Sequence, residues 1–515
     1  MVDNSEPPAK RVKVDQDAEF APGNLDGGDQ RRRNGGKEKH KSKSSRARAP
    51  GKAKDKDGKP KDRRRGTRRD TEEDDPTASK VPRLPKRQCA LLIGFCGTGC
   101  NGMQIQPDVR TIEGVLFDAM VKAGAVSQDN ADDPVKVNLG RAARTDAGVH
   151  AAGNLVSIKM ITAIPGVPDI TTHINELLPP EIRLWSFLRV QNSFSARTRK
   201  YTYTFPSYVL LPPKPGSGLY KAFRSQKTAD ADQADHSFWA DAPSPSTKEE
   251  DLHRKRLWRI SPEQLQALRD TAKKFEGSHN FHNFTVGRDF GDRSNLRYMK
   301  EIEIEDPVVL GDTEWISARW HGQSFMLHQV CRKMMAAMIL SCRTGTPAQI
   351  IDEMYGPRVV FVPKMPSLGL LLEYPVFEGY NRKVEAVNEK FTPEDPDYRP
   401  PIDFEAHREE MEKFKMQYIY KNIREVEDQD GLFDAWIRYI DSYSGNDLLY
   451  LNPKGIIPPV AVLKRGEKRE NPFREKKKFD VTGKLSESKI KVDLEDEEEA
   501  EEETLDKAKL ADTEG

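Results

Sequence analysis

The stretch GRAARTDAGVHAAGN, residues 140–154, holds the densest chemistry in the chain. Small residues flank Asp146, so a bulky ligand can come close to its carboxylate. Arg144, two residues earlier, can hold a phosphate or lower the pKa of that carboxylate, and an ionised carboxylate can act as a nucleophile. The plainer alternative is an Asx-turn that shapes a hairpin loop. Arg332 is the second oddity, because FMLHQVCRKMMAAMIL (325–340) is apolar on more than one face. A charge there needs a partner. His328 lies one turn earlier on the same face, and Asp146 is the acid expected to meet Arg332. A structural ion pair with another acid, or snorkelling to the surface, is the alternative. The third segment is FSARTRKYTYTF (194–205). In a strand, Tyr201 and Tyr203 share one face and Thr202 and Thr204 the other. With Arg197, Arg199 and Lys200 just upstream, this pattern suits a stacked base and its phosphates, although a strand tyrosine more commonly packs in a core.

Metal and cofactor signatures are weak. Cys96 and Cys100 are four apart and HNFH (279–282) stands alone, with no second pair at zinc spacing. GFCGTGCNG (94–102) follows a strand-like run but lacks both the P-loop Lys-Ser/Thr and the dinucleotide spacing. No metal and no cofactor are expected.

Elements that would position these residues can be read around them. Cys89–Phe95 has the length of a buried strand. Thr111 can cap a helix burying Ile112, Leu116, Phe117 and Met120. Strands are expected at Val135–Leu139, Leu155–Met160, Arg183–Val190, Tyr201–Phe205, 298–304 and 314–320. Ser261-Pro262-Glu263-Gln264 reads as a capping box with proline at the first helical position, opening a helix that buries Leu265, Leu268, Ala272 and Phe275. A long apolar helix from Phe325 to about Cys342, a buried strand region in 362–377 and amphipathic helices in 404–441 complete the pattern. Strands and helices interleave without regular βαβ repeats, which favours α+β.

The resulting division is a basic disordered arm (1–84), a first half with the Asp loop (85–205), a surface insertion (206–256), a second half (257–382), a helical extension (383–465) and a charged disordered tail (466–515). With 515 residues, 32% charged and a mean hydropathy of -0.75, the composition fits a real core mixed with disordered segments. The net charge of +1 hides asymmetry: residues 31–69 carry about 19 Lys/Arg against about 4 Asp/Glu, and 493–503 is almost wholly acidic. A nucleic-acid partner fits this balance. Five cysteines argue against a disulfide framework. No apolar run is long enough to span a membrane, and the first thirty residues lack a secretory h-region. PPAKRVKVD (7–15) and the later Arg clusters point to nuclear import, with a solvated RNA-holding arm as the alternative.

Taken together, these segments resemble the TruA-type tRNA pseudouridine synthases, most closely their eukaryotic nuclear branch. The resemblance rests on ARTDAGVHA (143–151), RKYTY (199–203) and MLHQVCRKMM (326–335), with GMQ (102–104), HNFHNFT (279–285) and LGLLLE (368–373) in support. It spans roughly 88–205 and 257–382 and extends to about 450. Cys96 and Cys100 stand where the family commonly has Asp and Tyr.

That resemblance implies two α+β halves with antiparallel sheets joined side by side, helices on one face, and a basic RNA-binding cleft between the halves. It implies isomerisation of uridine in tRNA, with snRNA and mRNA as further substrates, by a monomer in the nucleus. Asp146 would attack, Arg332 would hold it ionised, Tyr201 would stack on the uracil, and Arg144 and Arg199 would bind the substrate. The rival is a non-catalytic RNA-binding or tRNA-folding protein on the same scaffold. A phosphatase or glycosidase would need a metal cluster or a second placed carboxylate, and neither is evident in the sequence.

Overall fold

The computed structural model describes residues 84–190, 196–225, 236–243, 245–326 and 329–464. The two tails expected to be disordered, apart from Leu84, and His328 lie outside the described residues. Among the described residues there are ten strands: β1 Lys86–Phe95, β2 Gly140–Arg141, β3 His150–Ile161, β4 Ile182–Arg189, β5 Thr198–Pro206, β6 Gly277–Asn280, β7 Leu296–Ile304, β8 Val308–Leu310, β9 Thr313–Gly322 and β10 Leu370–Val376. They form one sheet in the order β4-β1-β3-β10-β5-β9-β7-β6, with β2 added to β3 and β8 to β9. The fold is α+β.

The two expected halves meet at β10. It runs parallel to β3, pairing Leu371 with His150 and Leu372 with Ala151, and antiparallel to β5; every other pairing is antiparallel. The halves also exchange strands. β5 lies early in the chain yet pairs with β9, and β10 lies late yet pairs with β3.

β1 is buried without a break from Cys89 to Phe95. Alternate side chains of a strand point to opposite faces, so such a run requires cover on both. The helices accordingly lie on both faces, not one. On the Tyr201 side, Phe275 at the end of the helix Pro262–Lys273 meets Trp320 of β9 at 6.0 Å between ring centroids. On the other side, Thr202 donates to Glu373 at 2.6 Å, and Glu373 pairs with Lys415 at 3.0 Å. Phe414 of the helix Arg408–Phe414 meets Trp185 edge-on at 5.4 Å. A Cβ on Gly153 would strike Phe404 at 2.8 Å, so this cover sits directly on β3.

The capping signals are realised. Thr111 accepts from the Gly114 amide at the head of the helix Ile112–Lys122, and Ser261 and Gln264 form the reciprocal box. Other expectations need correction. Val135–Leu139 is not a strand: Pro134–Val137 is a single 3-10 turn, capped by Asp133 and closed by Asn138 in the left-handed region. Val135 is 76% exposed; the alternation was real but local cap chemistry took the backbone first. The long helix expected from Phe325 begins instead as a π-helical turn, Gln329–Met334, followed by the helix Met335–Thr344. The segment 206–256 is not a mere surface insertion. Tyr208 to Leu211 are buried, the helix Lys248–Leu257 carries its own capping box, and Lys255 forms a buried 2.8 Å ion pair with Asp434. Its Pro- and charge-rich composition hid a segment that docks on the C-terminal extension.

Candidate active site

Asp146 stands where the sheet parts. At His150 and Ala151 the edge of β3 pairs with β10. Further along, at Val156 and Ser157, the same edge pairs with β2, and Ala142 continues that ladder by donating to Leu155 O. The loop 142–149 therefore leaves β2 and enters β3 at the seam between the halves. Within it, the Val149 amide donates to Asp146 O at 3.2 Å, and Gly148 has φ +76. That is a β-turn whose third residue must have positive φ, which Gly supplies. Asp146 is half-buried, Arg144 exposed and Thr145 buried.

Both ends of the loop are fixed. Arg141 is clamped to Glu113, which is fully buried, with an Nη2–Oε2 contact of 3.0 Å. Asn154 donates to Ala143 O at 2.9 Å and accepts from the Leu155 amide at 2.8 Å. The glycine-rich segment after β1 forms the outer brace. Met103 N–H donates to Thr145 O at 3.1 Å, and Gly148 N–H to Cys100 O at 3.3 Å. Gly97 and Gly102 are needed for this approach, since a Cβ would meet Val149 O at 2.0 Å and Thr145 O at 2.7 Å. Cys96 and Cys100 are buried free thiols in this brace.

One short segment, Met365–Leu368, ties the three sequence-predicted regions together through its backbone. Leu368 O accepts from His150 Nε2 at 3.0 Å, Pro366 O accepts from the Tyr203 hydroxyl at 2.6 Å, and Met365 O accepts from Arg332 Nε at 2.7 Å. The Met365 amide returns a bond to Arg332 O at 3.0 Å. Arg332 is thus anchored twice, at 4% exposure, by a π-turn that gives its side chain a placement regular helix would not. Tyr201 is 8% exposed, with its ring edge-on to Phe325 at 5.0 Å. Arg199, on the same face of β5, crosses the seam and donates to Ala142 O at 2.9 Å.

His150 belongs to this arrangement, although its role could not be read from sequence. Its Nδ1 accepts from the Gly97 amide at 3.1 Å, so Nε2 carries the proton given to Leu368 O. Complete burial pushes its pKa down to about 4. It is therefore a neutral strut between brace, loop and hub. The only sequence signal was its place two residues beyond the Gly148 turn. The hub itself gave none, because it acts through carbonyl groups that any residue supplies.

Residues 271–378 match a family model described as tRNA pseudouridine synthase. The chain is 42% identical to tRNA pseudouridine synthase 1 of Candida glabrata, over 71% of this chain and 72% of that protein. Its identity to the Saccharomyces cerevisiae protein of the same name is 40%, over 72% and 74% of the two chains. For Schizosaccharomyces pombe the identity is 35%, over 72% and 86%. On these matches, the chain belongs to the eukaryotic branch of the TruA-type tRNA pseudouridine synthases.

Proposed function

We propose that this protein isomerises uridine in tRNA to pseudouridine, with Asp146 as the catalytic carboxylate. The observation that carries this reading is the convergence of the Asp146 loop, β5 and Arg332 on Met365–Leu368 at the seam. In the reaction the N1–C1′ bond breaks, the uracil turns and a C5–C1′ bond forms. Atoms balance without a co-reactant, so no cofactor is called for.

The target uracil first leaves its stack, at a cost of a few kcal/mol. Arg144, exposed beside the loop, fills the vacated space or holds the flipped nucleotide's phosphate. Asp146 attacks the flipped nucleotide, at its sugar or at its base. Arg332 keeps that carboxylate ionised and aimed through a charge-assisted hydrogen bond; its burial supports this, because a buried guanidinium is stable only when its charge is met. Tyr201 stacks on the uracil, and its hydroxyl takes part in removing the C5 proton. Arg199 ties the loop to β5 and adds positive charge to the cleft.

The test is pseudouridine formation on unmodified tRNA transcripts by the purified protein beside Asp146→Ala. Product from the wild type and none from the variant, at similar tRNA affinity, is the expected result. Binding without product from the wild type on any transcript would point instead to an RNA-binding protein on this scaffold.

Three finer proposals follow from composition and fold. The basic clusters at 7–15 and 31–69 direct the protein to the nucleus, where snRNA and mRNA are further substrates. The protein acts as a monomer, a reading supported by the extension packed against β4 and β10 of the sheet. Imaging of a chain lacking 1–84, transcriptome-wide pseudouridine mapping after depletion, and sedimentation of the full chain test them in turn.

A further inference from the structure

The segment HNFHNFT (279–285) has no part in the catalytic reading, yet it is bonded to both flanks of the Arg332 clamp. Thr285 O accepts at 2.7 Å from Nζ of Lys333, the residue after Arg332. Asn283 accepts at 2.9 Å from the amide of Val360, on the stretch that leads into Met365, whose carbonyl holds Arg332. His282, beside Asn283, is 3% exposed. Neither of its ring nitrogens makes a hydrogen bond among the described residues. Burial pushes its pKa down, and backbone contacts with Arg358 and Asn280 offset only part of that, leaving a neutral ring with one nitrogen to donate and one to accept. Phe290 packs edge-on against it, with ring centroids 5.2 Å apart and planes at 79°. Phe290 is the exposed ring of the pair, at 39%. Its loop is braced: Phe290 O accepts from Asn280 Nδ2 at 2.8 Å, Asp289 O accepts from Asn295 Nδ2 at 2.7 Å, and Arg288 pairs with Asp292 at 2.9 Å. Arg293, on the same loop, is exposed and forms no ion pair among the described residues.

A buried polar ring without partners is unfavourable, and a braced loop that holds an aromatic ring in solvent forgoes its burial. A nucleotide resolves both, because bases stack on aromatic faces and unpaired bases are read through hydrogen bonds to their edges. Place and charge favour RNA as the occupant: the loop continues from the Arg332 clamp at the seam, and Arg293 offers a cation for a phosphate. We infer that Phe290, His282 and Arg293 form a second nucleotide site, which takes one unpaired base of the RNA strand leaving the seam. The base stacks on Phe290, which turns off His282 toward the open space beside Gly291, where a Cβ would meet nothing within 4 Å. The uncovered His282 ring then bonds the edge of the base, and Arg293 meets the phosphate. The inference rests on RNA lying at the seam but not on the chemistry of Asp146.

The experiment uses full-length protein carrying Asp146→Ala, so binding is read without turnover. If the wild type binds an unmodified tRNA transcript but forms no pseudouridine, the catalytic proposal fails and dissociation constants still decide this one. Phe290→Ala should weaken binding of that transcript at least about fivefold. The dependence on salt should not change, since stacking releases no counterions. Phe290→Trp should restore the affinity. Arg293→Gln should make the log–log slope of affinity against salt shallower by about one. His282→Phe keeps the packing and removes the nitrogens, so affinity should fall about threefold or more while the melting temperature holds. Gly291→Ala, in the same loop, should leave affinity unchanged. Affinity and slope unchanged in Phe290→Ala and Arg293→Gln would overturn the site, as would a lowered melting temperature with full affinity in His282→Phe. Benzoylphenylalanine at position 290 carries the test if Phe290→Ala melts in the assay range. Irradiation should crosslink it to unpaired nucleotides of the transcript; no crosslink, or crosslinks confined to paired stems, would sink the assignment.

Discussion

At the scale of single residues, the three side chains with chemistry stood out because each is out of place: an acid among small residues, a cation in an apolar helix, tyrosines beside a basic cluster. Arg332→Met should abolish turnover while tRNA affinity stays within about threefold, because a charge-assisted contact to the carboxylate is lost but phosphate contacts are not. Single-turnover kinetics beside filter binding read the two separately, and unchanged turnover would sink the pairing with Asp146. Tyr201→Phe keeps the ring and removes the hydroxyl. Wild-type rates from that variant would leave the hydroxyl without a chemical role. His150→Ala removes the partners of the Gly97 amide and the Leu368 carbonyl; both are buried, so the loss in stability should be about 2–4 kcal/mol, visible as a lowered urea midpoint. The importance of His150 was not legible in the sequence. Its contacts are with backbone groups distant in the chain, and backbone groups leave no compositional trace.

Among the elements, what sequence conveyed best were ends fixed by short-range chemistry. Thr111 and the Ser261–Gln264 box mark helix starts because a side chain meets its own backbone three residues on. Strand continuity was legible where apolar runs were long, as in β1, and misleading at Val135, where Asp133 and Pro134 set the backbone locally. The brace after β1 is glycine-rich without the spacing of a nucleotide loop, and its glycines serve the close passage of two chain segments. Gly97→Ala tests this reading. Its Cβ would meet Val149 O at 2.0 Å, so the brace must separate from the Asp loop at a cost of about 1–3 kcal/mol, with activity falling more than tRNA affinity. Gly291→Ala, whose Cβ meets nothing within 4 Å, is the matched control and should leave both unchanged.

Over the whole molecule, the C-terminal extension reaches both faces of the sheet: residues 408–415 lie against Trp185 and Glu373, while Phe433 meets Tyr203 on the opposite side. No local pattern foretold this, since each helix looks amphipathic alone and its partner lies elsewhere in the chain. Glu427 fastens the turn between these parts. It accepts from the Tyr208 hydroxyl and from the Phe433 amide, the latter at 2.8 Å, and burial pushes its pKa up to about 7. The folded protein thus holds a proton on Glu427 over a range where the unfolded chain has released it. The stabilisation is fully present below the unfolded pKa near 4.5 and lost as pH rises through about 7. It amounts to on the order of 3 kcal/mol. Glu427→Gln keeps the acceptor and removes the titration. Its melting temperature should therefore change less than the wild type's between pH 5 and pH 8, each unit of difference being worth about 1.4 kcal/mol. Parallel curves would show that Glu427 is ionised in the folded state.

The strand that closes the seam is the last one made. When β9 has left the ribosome, nine strands exist but β3 and β5 both still show open edges, because β10, which lies between them, is not yet synthesised. Uncovered edges of apolar strands recruit other chains, and closure depends on contacts between distant parts of the sequence, which form slowly. The exposed interval therefore opens when β5 is made with neither neighbour present, narrows when β9 covers one edge, and ends near residue 376, when β10 covers the other together with β3.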